Sequence, residues 1–251
     1  MIWEKIINEV LTVNNKWKSI WDKKKAENIN LNRDEFEIFC DLKKADGFDV
    51  NVHDEQAYFK AFYRDWEKMY KKLIDITGGD INSIYEVGCG SGVNLFLFHN
   101  RIENAVLGGI DYSEGLIALA KSILPCADLL CGNAEVMNTD IKYDFVMADS
   151  VFQYFGSRDY AETILNKMIC KSNKAVYISE IHDITLRAEW LECRRNAMDN
   201  YDQIYEGLDK MFYSKDWLSE IAEKHNKKTI FTNSENPEYW NSKYVFNCFI
   251  I

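Results

Sequence analysis

Apolar side chains recur along this chain with two periods, and the change from one to the other divides it. Over residues 1–75 the period is helical. Trp3, Ile6, Ile7, Val10 and Leu11 share one face, and so do Tyr58, Phe62, Trp66, Met69 and Leu73. Between them Asp34–Leu42 predicts a further short helix, and Gly47-Phe48-Asp49-Val50 breaks the pattern. From Ile81 onward, short apolar runs alternate with amphipathic ones. Runs closing at Val87, Asp111, Cys131 and Ala148 predict four strands, with helices after the first, over Tyr112–Lys121 and over Tyr160–Ile169. Lys174–Ser179 predicts a fifth strand. An aromatic and charged excursion over about 183–214 follows, then a helix over Lys215–His225 and strands over Lys228–Thr232 and Tyr244–Ile250. Such alternation predicts an α/β fold with a mostly parallel sheet. The expected organisation is a helical N-terminal cap, residues 1–75, and a core, residues 76–251, carrying the excursion as a lid-like insertion.

The most informative stretch lies where the first strand meets its helix: Tyr85-Glu86-Val87-Gly88-Cys89-Gly90-Ser91-Gly92. Glycines in such a turn let backbone approach a bound molecule, and the helix that follows directs its free N–H groups there. The third glycine falls one place early for the dinucleotide fingerprint G-x-G-x-x-G, and position 93 is Val. Glu86, two residues before Gly88, suits an ammonium group and opposes a pyrophosphate. Asp111 closes the second strand at the distance where a carboxylate receives a ribose diol. Capping the next helix is its other reading, and Ser113 is free to do that instead. Beyond the third strand, Asn133 and Ala134 offer a short polar turn to a base edge.

In this order the motifs resemble those of class I S-adenosylmethionine-dependent methyltransferases, over residues 80–182 and more weakly to the end of the chain. The resemblance implies a Rossmann-like seven-stranded sheet, mostly parallel, whose last strand is antiparallel. It implies that Glu86, Gly88, Gly90 and Gly92 hold the methionine part of S-adenosylmethionine, that Asp111 holds the ribose, that Tyr112 packs on the adenine, and that Asn133 and Ala134 read its edge. It also implies that the N-terminal cap closes the pocket and that S-adenosylhomocysteine is the product.

Composition narrows the partners. The chain has 251 residues, 47% hydrophobic, and no apolar run long enough to cross a bilayer; its N-terminus lacks the pattern of a signal peptide, so a cytoplasmic location is expected. A net charge of −10 disfavours nucleic acid. Where amino-methylating DNA enzymes carry an Asn/Asp-Pro-Pro-aromatic motif, this chain has Asp149-Ser150-Val151-Phe152. Seven scattered cysteines without a C-x-x-C pair read as reduced, and four histidines show no metal spacing, so no metal is expected. Nothing in the sequence sets an oligomeric state.

Methyl transfer from a sulfonium is a displacement in which the enzyme chiefly positions the acceptor, and a hydroxyl acceptor also needs a base. His182, after the fifth strand, is the first candidate base; Asp149 at the end of the fourth strand is the second, and Glu180 the third. Tyr154, Tyr58, Tyr63 and Arg194 are the candidate substrate contacts. The expected reaction is O-methylation of a small molecule. The layout also resembles enzymes that methylate sugars for bacterial surface polysaccharides, which implies a nucleotide-activated sugar. Phosphorylated compounds, amines and carboxylates are alternative acceptors. An NAD(P)-dependent oxidoreductase and a non-catalytic S-adenosylmethionine-binding protein are the rival classes.

Overall fold

The computed structural model describes Trp17, Ile20, Trp21 and residues 29–48, 54–234 and 236–251. The helix expected at Trp3–Leu11 and the Asp49-Val50 half of the break lie outside these residues. Seven strands form one sheet in the order β3-β2-β1-β4-β5-β7-β6. They are β1 (Ser83–Val87), β2 (Val106–Asp111), β3 (Asp128–Cys131), β4 (Tyr143–Asp149), β5 (Ser172–His182), β6 (Thr229–Asn233) and β7 (Val245–Ile250). The first five are parallel, and β7 lies antiparallel between β5 and β6. This is the Rossmann-like sheet expected from the sequence.

Helices cover both faces. α1 (Glu35–Ala45), α2 (Glu55–Thr77), α3 (Val93–Arg101) and α4 (Glu114–Ile123) pack on one side, α5 (Arg158–Lys171) and α8 (Lys215–Lys224) on the other. Each start is written locally. Asp34, Asp54, Ser113, Ser157 and Ser214 accept a hydrogen bond from a first-turn N–H of α1, α2, α4, α5 and α8. Alternation along the central strands feeds both cores. Phe145, Met147 and Tyr177 point to the side of α1–α4, whereas Val146, Ala148, Val176 and Ile178 point to α5 and α8. The cap helices α1 and α2 therefore share one hydrophobic core with the sheet.

β5 is longer than the sequence pattern suggests. It runs on to His182 because β7 pairs along its outer edge, His182 opposite Val245. The register shifts between Ile178 and Ile181, and Glu180 within that bulge has φ 53°. His182 is thus the last residue of a strand rather than part of a loop. The excursion leaves and returns at the same point. It contains α6 (Arg187–Ala197) and α7 (Tyr201–Ile204), and Tyr213 then bridges to Asp183 and donates its N–H to the His182 carbonyl (2.8 Å). Trp190, Tyr201, Phe212 and Tyr244 form a small core of their own beneath it.

Phe145 is fully buried at the centre of the sheet. Phe145→Ala is expected to lower the stability measured by urea unfolding by about 3–5 kcal/mol, the range for emptying an aromatic site in a core.

Candidate functional site

The glycine turn sits at the carboxyl edge of β1, the edge where α/β sheets bind ligands. Gly88 (φ 71°) and Gly90 (φ 51°) occupy the left-handed region. A Cβ on Gly88 would run into Val151, and one on Gly90 into the Asp46 carboxylate. The sequence suggested that these glycines make room for a ligand; their bare faces meet protein as well. Asp46, the residue closing α1, accepts from the Ser91 N–H (2.7 Å) and hydroxyl (2.8 Å), which fastens the cap to the turn. Burial pushes the Asp46 carboxyl up to about 7.

Asp111 knits the turn from the other side. One oxygen accepts from the Gly90 N–H (2.9 Å), the other from the Ser113 N–H (2.8 Å). Ser113 caps α4, as the sequence allowed, and Asp111 stays at the mouth of the cleft. Tyr112, Asn133 and Ala134 line the cleft beside it. The Asn133 side-chain oxygen accepts from the Glu135 N–H (3.2 Å) and from the Tyr160 hydroxyl. Only its amide nitrogen is left to read a base.

Glu86 is 1% exposed. Its Oε1 accepts from Asn94 Nδ2 (2.6 Å), and its Oε2, equally buried, has no hydrogen-bond partner. Leaving such an acceptor unpaired costs about 1–3 kcal/mol. Burial holds the carboxyl well above its ordinary pKa. An ammonium group fits this oxygen: it supplies the missing donor and restores the charge.

Asp149 was the second candidate base. Its carboxylate accepts from Lys43 Nζ (3.1 Å), Asn94 Nδ2 (3.2 Å) and the Ser179 hydroxyl. Burial alone would raise its pKa, but the Lys43 ammonium and these hydrogen bonds outweigh that and hold it below the ordinary value. A carboxylate so engaged is an anchor and a poor proton acceptor. Lys43 itself is buried, with Phe48 and Phe62 rings beneath its ammonium.

This cleft and its continuation under the excursion form one cavity of about 730 Å³. Tyr58, Tyr154, His182 and Arg194, four of the candidate substrate and catalytic residues, line it. Tyr63 does not. It faces away, donating to Glu35 and accepting from Arg101 Nη2 (2.6 Å), because the cavity-facing stripe of α2 runs through Tyr58. His182 reaches the cavity in an unexpected state. It is 2% exposed, and burial, with the nearby Lys210 ammonium, pulls its pKa down to about 3. Its Nε2 faces Asn241 Nδ2 (3.1 Å). A ring this reluctant to take a proton is poorly suited to the general-base role the sequence suggested. Glu180, the third candidate, is pushed up to about 7 by burial and Asp149, and accepts from Ser150 (2.8 Å) and Tyr239 (3.3 Å).

Several residues escaped the sequence reading: Lys43, Asp46, Asn94, Lys210, Tyr239 and Asn241. Asn94 left a signal, a polar residue inside the apolar run Val93–Phe98. The others meet the site only through contacts distant in sequence. Among the described residues no group of His, Cys, Asp and Glu could hold a metal ion, and no helix is long and apolar enough to cross a membrane. None of the seven cysteines forms a disulfide among the described residues.

Comparison with known proteins agrees with this geometry. Residues 84–169, from β1 through most of α5, match the methyltransferase domain family model. The chain is 32% identical over 77 residues to the malonyl-[acyl-carrier protein] O-methyltransferase of Priestia megaterium, covering 30% of this chain and 28% of that one. It is 24% identical over 156 residues to the bassianolide nonribosomal cyclodepsipeptide synthetase of Beauveria bassiana, covering 58% of this chain and 5% of that one. It therefore spans less than a third of the length of either curated relative. The crystal structure of magnesium protoporphyrin IX methyltransferase from Synechocystis PCC 6803 with bound S-adenosylhomocysteine shares the fold: TM-score 0.62, 13% identity, 84% of this chain and 92% of that one covered. The domain model over residues 84–169, the strand order and the buried Glu86 beside the glycine turn agree with one another, and residues 84–169 are similar to a methyltransferase domain.

Proposed function

We propose that this chain transfers the methyl group of S-adenosylmethionine to an oxygen atom of a small-molecule acceptor held under the helical excursion. The observation that carries the reading is the buried, unpartnered Glu86 Oε2 at one end of a cavity whose other end is an aromatic chamber. Glu86 receives the amino group of the cofactor, Asp111 its ribose, and Tyr112, Asn133 and Ala134 its adenine. When bound, the cofactor supplies a methyl group on a sulfonium, whose displacement calls mainly for an acceptor held in line. Three carboxylates around the turn, Glu86, Asp46 and Asp111, oppose the pyrophosphate of a nicotinamide dinucleotide, which argues against an oxidoreductase.

Oxygen is favoured as the acceptor atom by a relative named for O-methylation. A hydroxyl requires a proton acceptor, and His182 and Asp149 are poorly suited to that role. An oxygen that arrives already deprotonated requires none. A nucleotide-activated sugar, the acceptor expected from the sequence, would bring phosphates to Lys210 and Arg194 and belongs among the compounds to be assayed.

The purified protein, given S-adenosylmethionine and a panel of carboxylates, phosphorylated compounds, nucleotide-activated sugars and amines, should form S-adenosylhomocysteine and a product heavier by one methyl. Absence of calorimetric binding for both forms of the cofactor would sink the proposal. Glu86→Gln should weaken cofactor affinity by about tenfold or more, since it removes a charge-assisted hydrogen bond from a buried site. Cofactor binding should also release a proton. Between the ordinary carboxyl pKa and its raised value, free Glu86 is protonated; beside an ammonium it is ionised. Calorimetry in buffers of different ionisation enthalpy should detect that release in the wild type and not in Glu86→Gln.

A further inference from the structure

The chamber end of the cavity is built from groups the methyl donor does not use, and their hydrogen-bond directions can be followed one by one. Trp190 Nε1 lies 2.8 Å from Asn241 Oδ1. An indole N–H only donates, so the amide oxygen of Asn241 must face Trp190 and its NH₂ must face the other way. That NH₂ meets two groups, His182 Nε2 (3.1 Å) and the Tyr239 hydroxyl oxygen (3.4 Å). Tyr239 in turn donates to Glu180 Oε2 (3.3 Å). Every donor in the chain has an acceptor, which fixes the amide. His182 Nε2 is therefore a lone pair, and the ring proton is on Nδ1. His182 Nδ1 is buried and has no hydrogen-bond partner. A donor is thus left without an acceptor on a residue that lines the chamber.

Two cations share that end. Lys210 holds its ammonium 3.4 Å from the centre of the Tyr154 ring and 4.8 Å from that of Trp17. Arg194 lies over Trp240 (4.9 Å), Tyr201 (5.4 Å) and Tyr205 (5.8 Å). Among the described residues neither makes an ion pair with a carboxylate, although both line the cavity and sense one another's charge. Burial lowers the Lys210 ammonium to about 7, with Arg194 adding to the effect and Glu180 opposing it. Among the described residues no carboxylate pairs with it directly, and Glu180 acts on it only from a distance.

Resting on the methyl-transfer reading above, we infer that the acceptor is held by an oxyanion, a carboxylate or a phosphate, received by His182 Nδ1–H together with the Lys210 ammonium and the Arg194 guanidinium. The aromatic faces around these groups suit a planar apolar body behind the anion. His182 is then a binding donor for the acceptor, its tautomer set by the positioning residues Trp190 and Asn241.

The test uses the full chain saturated with S-adenosylhomocysteine, with benzoate, phenyl phosphate and uncharged benzamide as probes and the fluorescence of the chamber tryptophans as readout. At least one anion should bind about tenfold or more tighter than benzamide, as expected for a charge-assisted hydrogen bond in a partly dry site. The tighter of the two anions names the source of the oxyanion. Lys210→Met and His182→Phe should each shrink that preference. Nitrogen-resolved NMR of the wild-type imidazole, which needs no variant to fold, should show a protonated Nδ1 and a bare Nε2. Equal binding of benzamide and both anions, or a proton on Nε2, would overturn the inference while cofactor binding and methyl transfer stood. Failure of S-adenosylhomocysteine to bind, seen in the first titration, would bring down both.

Discussion

One buried ion pair organises the site. Lys43 on cap helix α1 reaches across to Asp149 at the tip of β4, and Asn94 on α3 joins Asp149 to Glu86. Two carboxylates this close in a dry interior could not both remain charged without a cation between them. The ammonium lowers Asp149 and tempers both Glu86 and Glu180. Taking such a pair out of water is costly, and removing one partner of a buried pair typically costs about 3–5 kcal/mol. The cap is therefore part of the site's electrostatics as well as a cover over it. Asp46, three residues on, fastens the same helix to the glycine turn through Ser91.

The cavity is polarised from end to end. Around the turn stand Glu86, Asp46 and Asp111, acceptors suited to a cationic amine and a sugar diol. Under the excursion stand Lys210, Arg194 and an N–H of His182, all donors. A sulfonium nucleoside and an anionic acceptor would each meet the complementary end.

Irregular backbone makes this possible. Ser150 and Glu180 both sit at positive φ, 58° and 53°, beside the bulge in β5. The bulge turns Glu180 toward Ser150 and Tyr239 while the strand continues to His182 on the far side. Because β7 inserts between β5 and β6, the turn leading into it, with Tyr239 and Asn241, lies directly over His182. Strain of this kind persists where surrounding contacts enforce it, and functional sites are where it gathers.

What the sequence determined by itself was local. Polar and apolar spacing placed each strand, so Glu86, Asp111, Asp149 and His182 could be assigned to one edge of the sheet before any contact was known. The glycine turn and the Ser113 cap were legible because their requirements are met within a few residues of chain. The chemical state of those same residues was not legible, since it depends on partners remote in sequence. Lys43 is 106 residues from Asp149, Trp190 is 51 from Asn241, and His182 is 59 from Asn241. His182 and Asp149 read as bases because titration was imagined in water; burial lowers the readiness of the one to take a proton, and an ammonium holds the other as an engaged carboxylate. Tyr63 and Tyr58 read alike because helical spacing does not say which face a neighbouring sheet will cover. Position along a strand is set by the chain's own periodicity, whereas protonation and hydrogen-bond direction are set by what the fold brings alongside.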